Sequence, residues 1–438
     1  MPSTKTSPTY NLGAITRETG LNADTLRAWE RRYKLPQPAR SAGGQRLYSP
    51  RDLEILKWLI SRQNEGMRIS QAAKLWHNQV AEGLNPLEEI NQEKTHVPMP
   101  LVTGENIATF KSQWVTACES FNEAEAEQII SEAFSQYSPE TVCIEVLFAG
   151  LSEIGDAWYR GEASVQQEHF ASTLVARRLN TLISGAPLPN RTERIVVAAP
   201  PNEEHTLSSL LITLLLRRRG WDVIYLGADV PLENFRTTIE SLQPDLVILT
   251  AQQLIAAASL LDLANELGSL HIPLAFGGLI FNNILGLRER IPGHFLGEEI
   301  DKGVIKVEQL LQNPPKKEER PSLNGLPSVE RFRSIIPKIE SRVHEEIATN
   351  PRLDSAHSRF LSRDILAALK LGELDLLNND MDWVRGLLTN SGIPDGALRE
   401  FLQIYHQAVD EFLESPNEPI LLWLQTEINR LKDSEAVT

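Results

Sequence analysis

The sequence predicts a multidomain protein of mixed α and α/β class, and three observations carry that expectation. Apolar, β-rich runs at 195–199, 223–226, 246–249 and 272–276 alternate with helical stretches near 207–219, 231–242 and 257–267, as in a doubly wound parallel sheet. Residues 105–185 repeat apolar stripes at 3.6-residue spacing (Ile129, Ile130, Ala133, Phe134; Ile144, Leu147, Leu151, Ile154; Leu174, Leu179, Leu182), which reads as a compact helical bundle. The first eighty residues have the spacing of two short helices and a turn followed by a hairpin. At 438 residues the chain exceeds one ordinary core. These patterns divide it into a winged helix-turn-helix head (1–82), a linker (83–104), the bundle (105–187), a Rossmann-like (flavodoxin-like) domain (188–312), a second linker (313–328) and a C-terminal all-helical domain (329–438).

In the head, residues 12–19 form a short helix stopped by Gly20, and Asn22 caps a second helix running from Asp24 through Tyr33. The turn Leu35-Pro-Gln-Pro38 leads to a wing in which Gly43-Gly44 make a tight hairpin between two short strands. Pro50 begins a long helix and Ile69 to Trp76 another. In the bundle, the run from Gly150 to Trp158 ends a helix and Gly161 resets the chain. Ser164 with Gln167 then forms a capping box, placing Glu168 and His169 in the second turn of the next helix. Glu203, His205 and Ser208, then Thr250, then Gly277-Gly278 lie just past the carboxyl ends of predicted strands one, three and four, where open α/β sheets bind ligands. The C-terminal helices have no assigned role; oligomerisation, docking of a partner and an independent pocket all stay open.

The net charge of −15 is unevenly spread: residues 1–70 carry twelve Lys/Arg against six Asp/Glu, so the remainder carries −21. A basic head on an acidic body fits a DNA-binding domain attached to a part that does not touch DNA. Asn22 and Thr25 stand at the first turn of the recognition helix, whose N–H groups and dipole favour phosphate. Arg27, Arg31, Arg32, Arg40 and Arg46 can neutralise phosphates, and Tyr48 can hydrogen-bond one; Leu26, Trp29 and Leu47 read as core. The two cysteines, Cys118 and Cys143, lie in apolar helical pattern and encode neither a disulfide framework nor a metal site. The N-terminus is polar and no apolar run approaches a membrane span, so the expectation is a cytoplasmic protein with no membrane partner. No nucleophile–base–carboxylate arrangement and no phosphate loop is found, and an enzyme is not expected.

The stretch Thr25-Leu-Arg-Ala-Trp-Glu-Arg-Arg-Tyr33, with Leu35-Pro-x-Pro, Arg40 and Gly44-Gln-Arg-Leu-Tyr-Ser49, resembles the MerR family of transcription regulators over residues 10 to about 78. Glu203-x-His205-x-x-Ser208, Thr250 and Gly277-Gly278 resemble the cobalamin-binding fold, whose pattern is Asp/Glu-x-His-x-x-Gly, Ser-x-Leu/Thr and Gly-Gly. That resemblance implies His205 as the lower axial ligand of cobalt, Glu203 orienting it, and a channel beside the sheet for the displaced nucleotide tail. A neutral imidazole suits cobalt, and a carboxylate on its other nitrogen fixes the tautomer. Trp158, nine residues, then Glu168-His169 resembles the adenosylcobalamin photoreceptor regulators of the CarH/LitR group. There the Trp packs on the upper adenosyl group and the Glu-His pair lines its pocket. Three positions depart from these patterns: Ser208 replaces Gly, Thr250 replaces Ser, and Tyr159 replaces the His that captures cobalt after photolysis.

The resemblances together imply a light-responsive, MerR-type repressor binding adenosylcobalamin. It would act on a double-stranded DNA operator and form a cofactor-dependent homo-oligomer, dimer or tetramer. Tyr159 and Ser208 favour the alternative of a cobalamin-level or redox sensor without photochemistry. A corrinoid methyl carrier shares Glu203-x-His205 but leaves the head and Trp158, Glu168 and His169 without a purpose.

Overall fold

A computed structural model describes residues 10–19, 21–40, 46–64, 67–81, 86, 105–312, 327–347, 356–390, 395–413 and 418–435. The chain forms two compact units: residues 1–154, 166–189 and 217–220, and residues 155–165, 190–216 and 221–438.

The first unit begins with the head: β1 (Tyr10–Asn11), α1 (Leu12–Thr19), α2 (Ala23–Tyr33), β2 (Ala39–Arg40), β3 (Arg46–Tyr48), α3 (Pro50–Asn64) and α4 (Ile69–Ala81). The strands form an antiparallel sheet ordered β1-β3-β2, with Tyr10 opposite Tyr48 and Arg40 opposite Arg46. Asn22 caps α2 as expected, its Oδ1 accepting from the Thr25 N–H at 2.7 Å. Ser49 and Asp52 cap α3 reciprocally: the Ser49 N–H donates to Asp52 Oδ2 at 2.8 Å, and the Asp52 N–H to Ser49 Oγ at 3.1 Å. Ile15, Leu26, Trp29, Trp58 and Trp76 form the core, the last two indoles meeting edge-on at 5.3 Å. Leu47, expected in that core, is half-buried. The glycines expected to stop α1 and turn the wing, Gly20 and Gly43-Gly44, lie outside the described residues.

The bundle consists of α5 (Glu105–Glu119), α6 (Glu123–Phe134), a single turn at Pro139–Thr141, a π-helical stretch at Val142–Phe148, α7 (Ala149–Tyr159) and α8 (Val165–Ser184). The π-stretch corrects the predicted stripe. Its wider turn shifts the buried face, so Val142, Cys143, Val146 and Leu147 are buried while Ile144 and Leu151 are half-buried. Cys118 and Cys143 are free and buried, and burial pushes both thiols up to about 12, which leaves them unreactive. α8 starts directly after Ser164; the Gln167 side-chain amide donates to the carbonyl of Glu119 at 2.7 Å.

The second unit is built on five parallel strands: β4 (Arg194–Ala198), β5 (Asp222–Gly227), β6 (Leu246–Thr250), β7 (Leu274–Gly277) and β8 (His294–Phe295). Their order, β5-β4-β6-β7-β8, is the flavodoxin-like order with its switch point between β4 and β6. β6 is buried throughout and β4 from its second residue on, so both read as continuous apolar runs. α9 (Leu207–Arg218), α10 (Phe235–Leu242), α11 (Leu254–Leu270), α12 (Leu279–Asn283) and α13 (Ile300–Gln312) accompany them. β8, at two residues, is too short for its pattern to register in the sequence.

The C-terminal region is all helical as expected: α14 (Pro327–Ile347), α15 (Ala356–Leu371), α16 (Leu377–Asn390), α17 (Asp395–Phe412) and α18 (Pro419–Glu435). It does not stand as a separate domain. Buried residues of α11 (Leu260, Leu263, Leu267) and of α15 (Ile365, Ala368) belong to one apolar core that continues into α14, α17 and α18. α11 is the reason. Its sequence, LIAAASLLDLANELGSL, is apolar except for a stripe of Asp262, Asn265, Glu266 and Ser269, and so broad an apolar surface needs partners on more than one side. Lys370 pairs with Asp262 at this junction. Ile365→Ala should therefore lower the stability of the α/β unit and the C-terminal helices together by about 2–5 kcal/mol. Denaturant unfolding followed by Trp fluorescence checks this, and the expected outcome is one shifted transition.

Candidate functional site

The loop leaving β4 carries Glu203 and His205 ahead of α9. Glu203 is fully buried. Its Oε1 accepts from the His205 backbone N–H and from His205 Nδ1, both at 2.8 Å, and its Oε2 accepts from the Gln252 N–H at 2.5 Å. One carboxylate thus ties the loop after β4 to the loop after β6, across the switch point. Because Nδ1 donates to Glu203, the lone pair of the neutral ring resides at Nε2, on the opposite edge. The His205 side chain is 60% exposed although its orienting carboxylate is not exposed at all. A buried acid holding an exposed imidazole in one tautomer is the arrangement that metal-ligating histidines use.

Beside this pair, Thr250 closes β6 with its Oγ1 buried and without a hydrogen-bond partner. Gln252 Nε2 is likewise buried and unpartnered, while its Oε1 accepts from the Leu279 N–H at 2.9 Å. Orphaned buried donors and acceptors cost free energy unless a ligand satisfies them. Gln252 was not singled out by sequence reasoning; its signal was its place two residues beyond Thr250, at the mouth of the sheet. Gly278 has φ +123°, and a Cβ there would stand 2.0 Å from the carbonyl oxygen of Ala251, so only glycine allows the two segments this approach. Gly277 meets nothing closer than Leu296 Cβ, at 3.9 Å. Ser208 is half-buried in the first turn of α9, and the neighbouring Ser209 is fully buried and donates to the Thr206 carbonyl at 2.8 Å.

Trp158 and Tyr159 end α7 half-buried. Both rings face Trp383 of α16: Trp158 is tilted by 48° and Tyr159 is stacked at 27°, each with centroids 6.0 Å away. In the first unit, Glu168 and His169 occupy adjacent positions near the start of α8. They pair with each other, Nδ1 to Oε2 at 2.8 Å, and the His169 side chain is 75% exposed.

In the head, Arg27, Arg31, Arg32 and Arg40 are exposed. Arg27 pairs loosely with Asp24 at 3.3 Å. One expectation is corrected. Tyr48 is fully buried and its hydroxyl donates to Glu30 Oε1 at 2.6 Å, so it does not face a phosphate. Arg46 donates through Nε to Glu30 Oε2 at 2.7 Å, so part of its charge bridges the wing strand to α2. The Asn22 side chain likewise consumes the Thr25 N–H.

A basic, winged head joined to a helical bundle and a flavodoxin-like sheet with a carboxylate-held histidine at its switch point defines a class: transcription regulators that carry a corrinoid-binding fold. Comparison with known proteins agrees. Residues 10–79 match the MerR HTH family of regulatory proteins, and residues 112–183 and 193–299 match two B12 binding domain families. The chain is 32% identical over 298 residues to the HTH-type transcriptional repressor CarH of Myxococcus xanthus, which covers 66% of this chain and 96% of that protein. It is 28% identical over 244 residues to the repressor CarA of the same organism, covering 55% and 76%. Dimethylamine corrinoid protein 2 of Methanosarcina acetivorans is 22% identical over 125 residues, covering 28% and 58%. The Methanosarcina barkeri monomethylamine corrinoid protein structure aligns with a TM-score of 0.42 at 16% identity, over 46% of this chain and 99% of that one.

The chain belongs to the family of MerR-type transcriptional regulators with B12-binding domains that includes CarH, and it is a regulator rather than an enzyme. Among the described residues no helix is long and apolar enough to cross a membrane. Gly278→Ala should force the ends of β6 and β7 apart and cost about 2 kcal/mol or more, from strained φ and the backbone clash combined. Thermal melting checks this, with Gly277→Ala, which meets no close atom, expected to cost less.

Proposed function

We propose that this protein is a cobalamin-dependent, MerR-type repressor that binds adenosylcobalamin, with His205 as the lower axial ligand of cobalt and Trp158, Glu168 and His169 serving its upper face. The observation that carries the reading is the exposed His205 ring locked by the fully buried Glu203. The donors beside it fit the group as well. Thr250 Oγ1 and Gln252 Nε2 are buried without partners, and Gly278 lets the loop after β6 close onto the end of β7 beside them. Ser208, Thr250, Gly277 and Gly278 would line the channel for the nucleotide tail. Thr250 keeps the hydroxyl that the fold's pattern calls for.

When bound, adenosylcobalamin supplies a cobalt–carbon bond that light breaks. The chain's own part would be differential contact: Trp158 would pack on the upper ligand in one state and lose that surface in the other. Only such a difference biases two assemblies of the protein, a homo-oligomer among them. The partner is a double-stranded DNA operator, met by Asn22, Thr25, Arg27, Arg31, Arg32, Arg40 and Arg46. Repression as the sign of regulation follows the two Myxococcus xanthus relatives, both named as repressors. A cytoplasmic site of action accompanies this role.

Tyr159 favours a second reading, a sensor of cobalamin level or redox state without useful photochemistry. A phenol replaces the imidazole of the photoreceptor group, and its hydroxyl lies against Gly386 of α16.

Reconstitution in the dark followed by green illumination tests both. A changed spectrum with altered operator binding supports the photoreceptor, a changed spectrum alone the sensor, and no retained corrinoid overturns both. His205→Ala should abolish the lower-ligand signature in the cobalt spectrum, and Glu203→Gln should weaken corrinoid affinity about 10–100-fold. In the head, Arg31→Ala should weaken binding to all DNA sequences alike and reduce the salt slope by about one, read in a salt titration.

A further inference from the structure

The three family matches end at residue 299, and the alignment with CarH spans 66% of this chain. The C-terminal helices nevertheless reach the residue that the proposed function puts over the corrin. Trp383 lies 6.0 Å from the ring centroids of both Trp158 and Tyr159, and is 46% exposed. Its helix is held in place by other contacts. The Trp423 indole N–H donates to Asn378 Oδ1 at 3.0 Å, and Arg430 pairs with Asp382 at 2.5 Å. The Asn390 side-chain amide donates to the Tyr159 carbonyl at 2.6 Å.

Gly386 shows how close the approach is: a Cβ there would overlap the Tyr159 hydroxyl. Glycine weakens a helix interior relative to alanine, so its presence here has a packing reason. Since α16 is seated by these groups, the Trp383 indole is not needed to hold it. Nearly half of a large aromatic surface remains open beside Trp158, and open aromatic faces grouped in this way are characteristic of ligand sites.

We infer that Trp383 is a ligand-binding residue, a second indole beside Trp158 that stacks on a planar, purine-type group carried on the upper face of the corrin and so sets the preference among upper ligands. This rests on the proposed cobalamin-binding role. The indole adds a flat, polarisable surface that a nucleobase fills and a hydroxide or water does not. Trp383 would therefore separate corrinoids with an adenosyl group from those without one.

The test is dark equilibrium titration of the full chain with adenosylcobalamin and with hydroxocobalamin, read by absorbance, for the wild type, Trp383→Ala, Trp383→Phe and His205→Ala. Melting curves of each apoprotein accompany it. Trp383→Ala should weaken adenosylcobalamin about tenfold, the scale of one lost base–aromatic stack. Hydroxocobalamin affinity and the apoprotein melting temperature should stay unchanged, and Trp383→Phe should recover most of the loss. Equal weakening of both corrinoids, or a fall in melting temperature that accounts for the loss, overturns the assignment in favour of a scaffold role. Wild-type uptake that His205→Ala impairs and Trp383→Ala leaves intact overturns this inference alone, whereas absence of uptake by the wild type overturns the functional reading and this inference with it.

Discussion

The carboxylate of Glu203 is the constraint on which the site depends. It is withdrawn wholly from water, and two of its three partners are backbone N–H groups that can only donate. Hydrogen bonds to a charged acceptor are worth roughly 1.5–3 kcal/mol each, and together they offset the desolvation of the acid. The same three bonds do the geometric work. They close the loop after β4 onto the loop after β6, at the one place where the strand order reverses, and they choose the tautomer of His205. Gly278 completes the arrangement from the neighbouring strand, because its backbone passes where any side chain would strike Ala251.

Much of this was legible in the sequence where the signal is local. Four of the five parallel strands announce themselves as apolar β-rich runs, and Asn22 is recognisable as a cap because capping needs only its own helix. Glu203, His205 and Gly277-Gly278 are readable because an open sheet places its ligands at the carboxyl ends of its strands. What escaped depends on distant partners. Glu30 lies 16 residues from Arg46 and 18 from Tyr48, and nothing in the wing sequence reveals that both answer to it. The π-stretch at 142–148 preserves an apolar composition while changing the phase of burial, which a 3.6-residue template cannot register.

The C-terminal helices are the plainest case. Their helical character follows from periodicity, but their attachment follows from α11, where alanine and leucine cover all but the narrow stripe of Asp262, Asn265, Glu266 and Ser269. A charged segment at 314–321 suggests independence, whereas the apolar surface on either side of it demands union. The juxtaposition of Trp383 with Trp158 and Tyr159 spans more than 200 residues of sequence and rests on Gly386, a residue with no side chain to advertise it.

The shared core along α11 carries a genetic consequence. A premature stop codon ahead of α15 would remove the helix that covers α11; it would bare a greasy flank of the sheet domain and send the product toward aggregation or proteolysis. Shortening the protein from this end without that cost requires polar residues on the face of α11 that α15 covers.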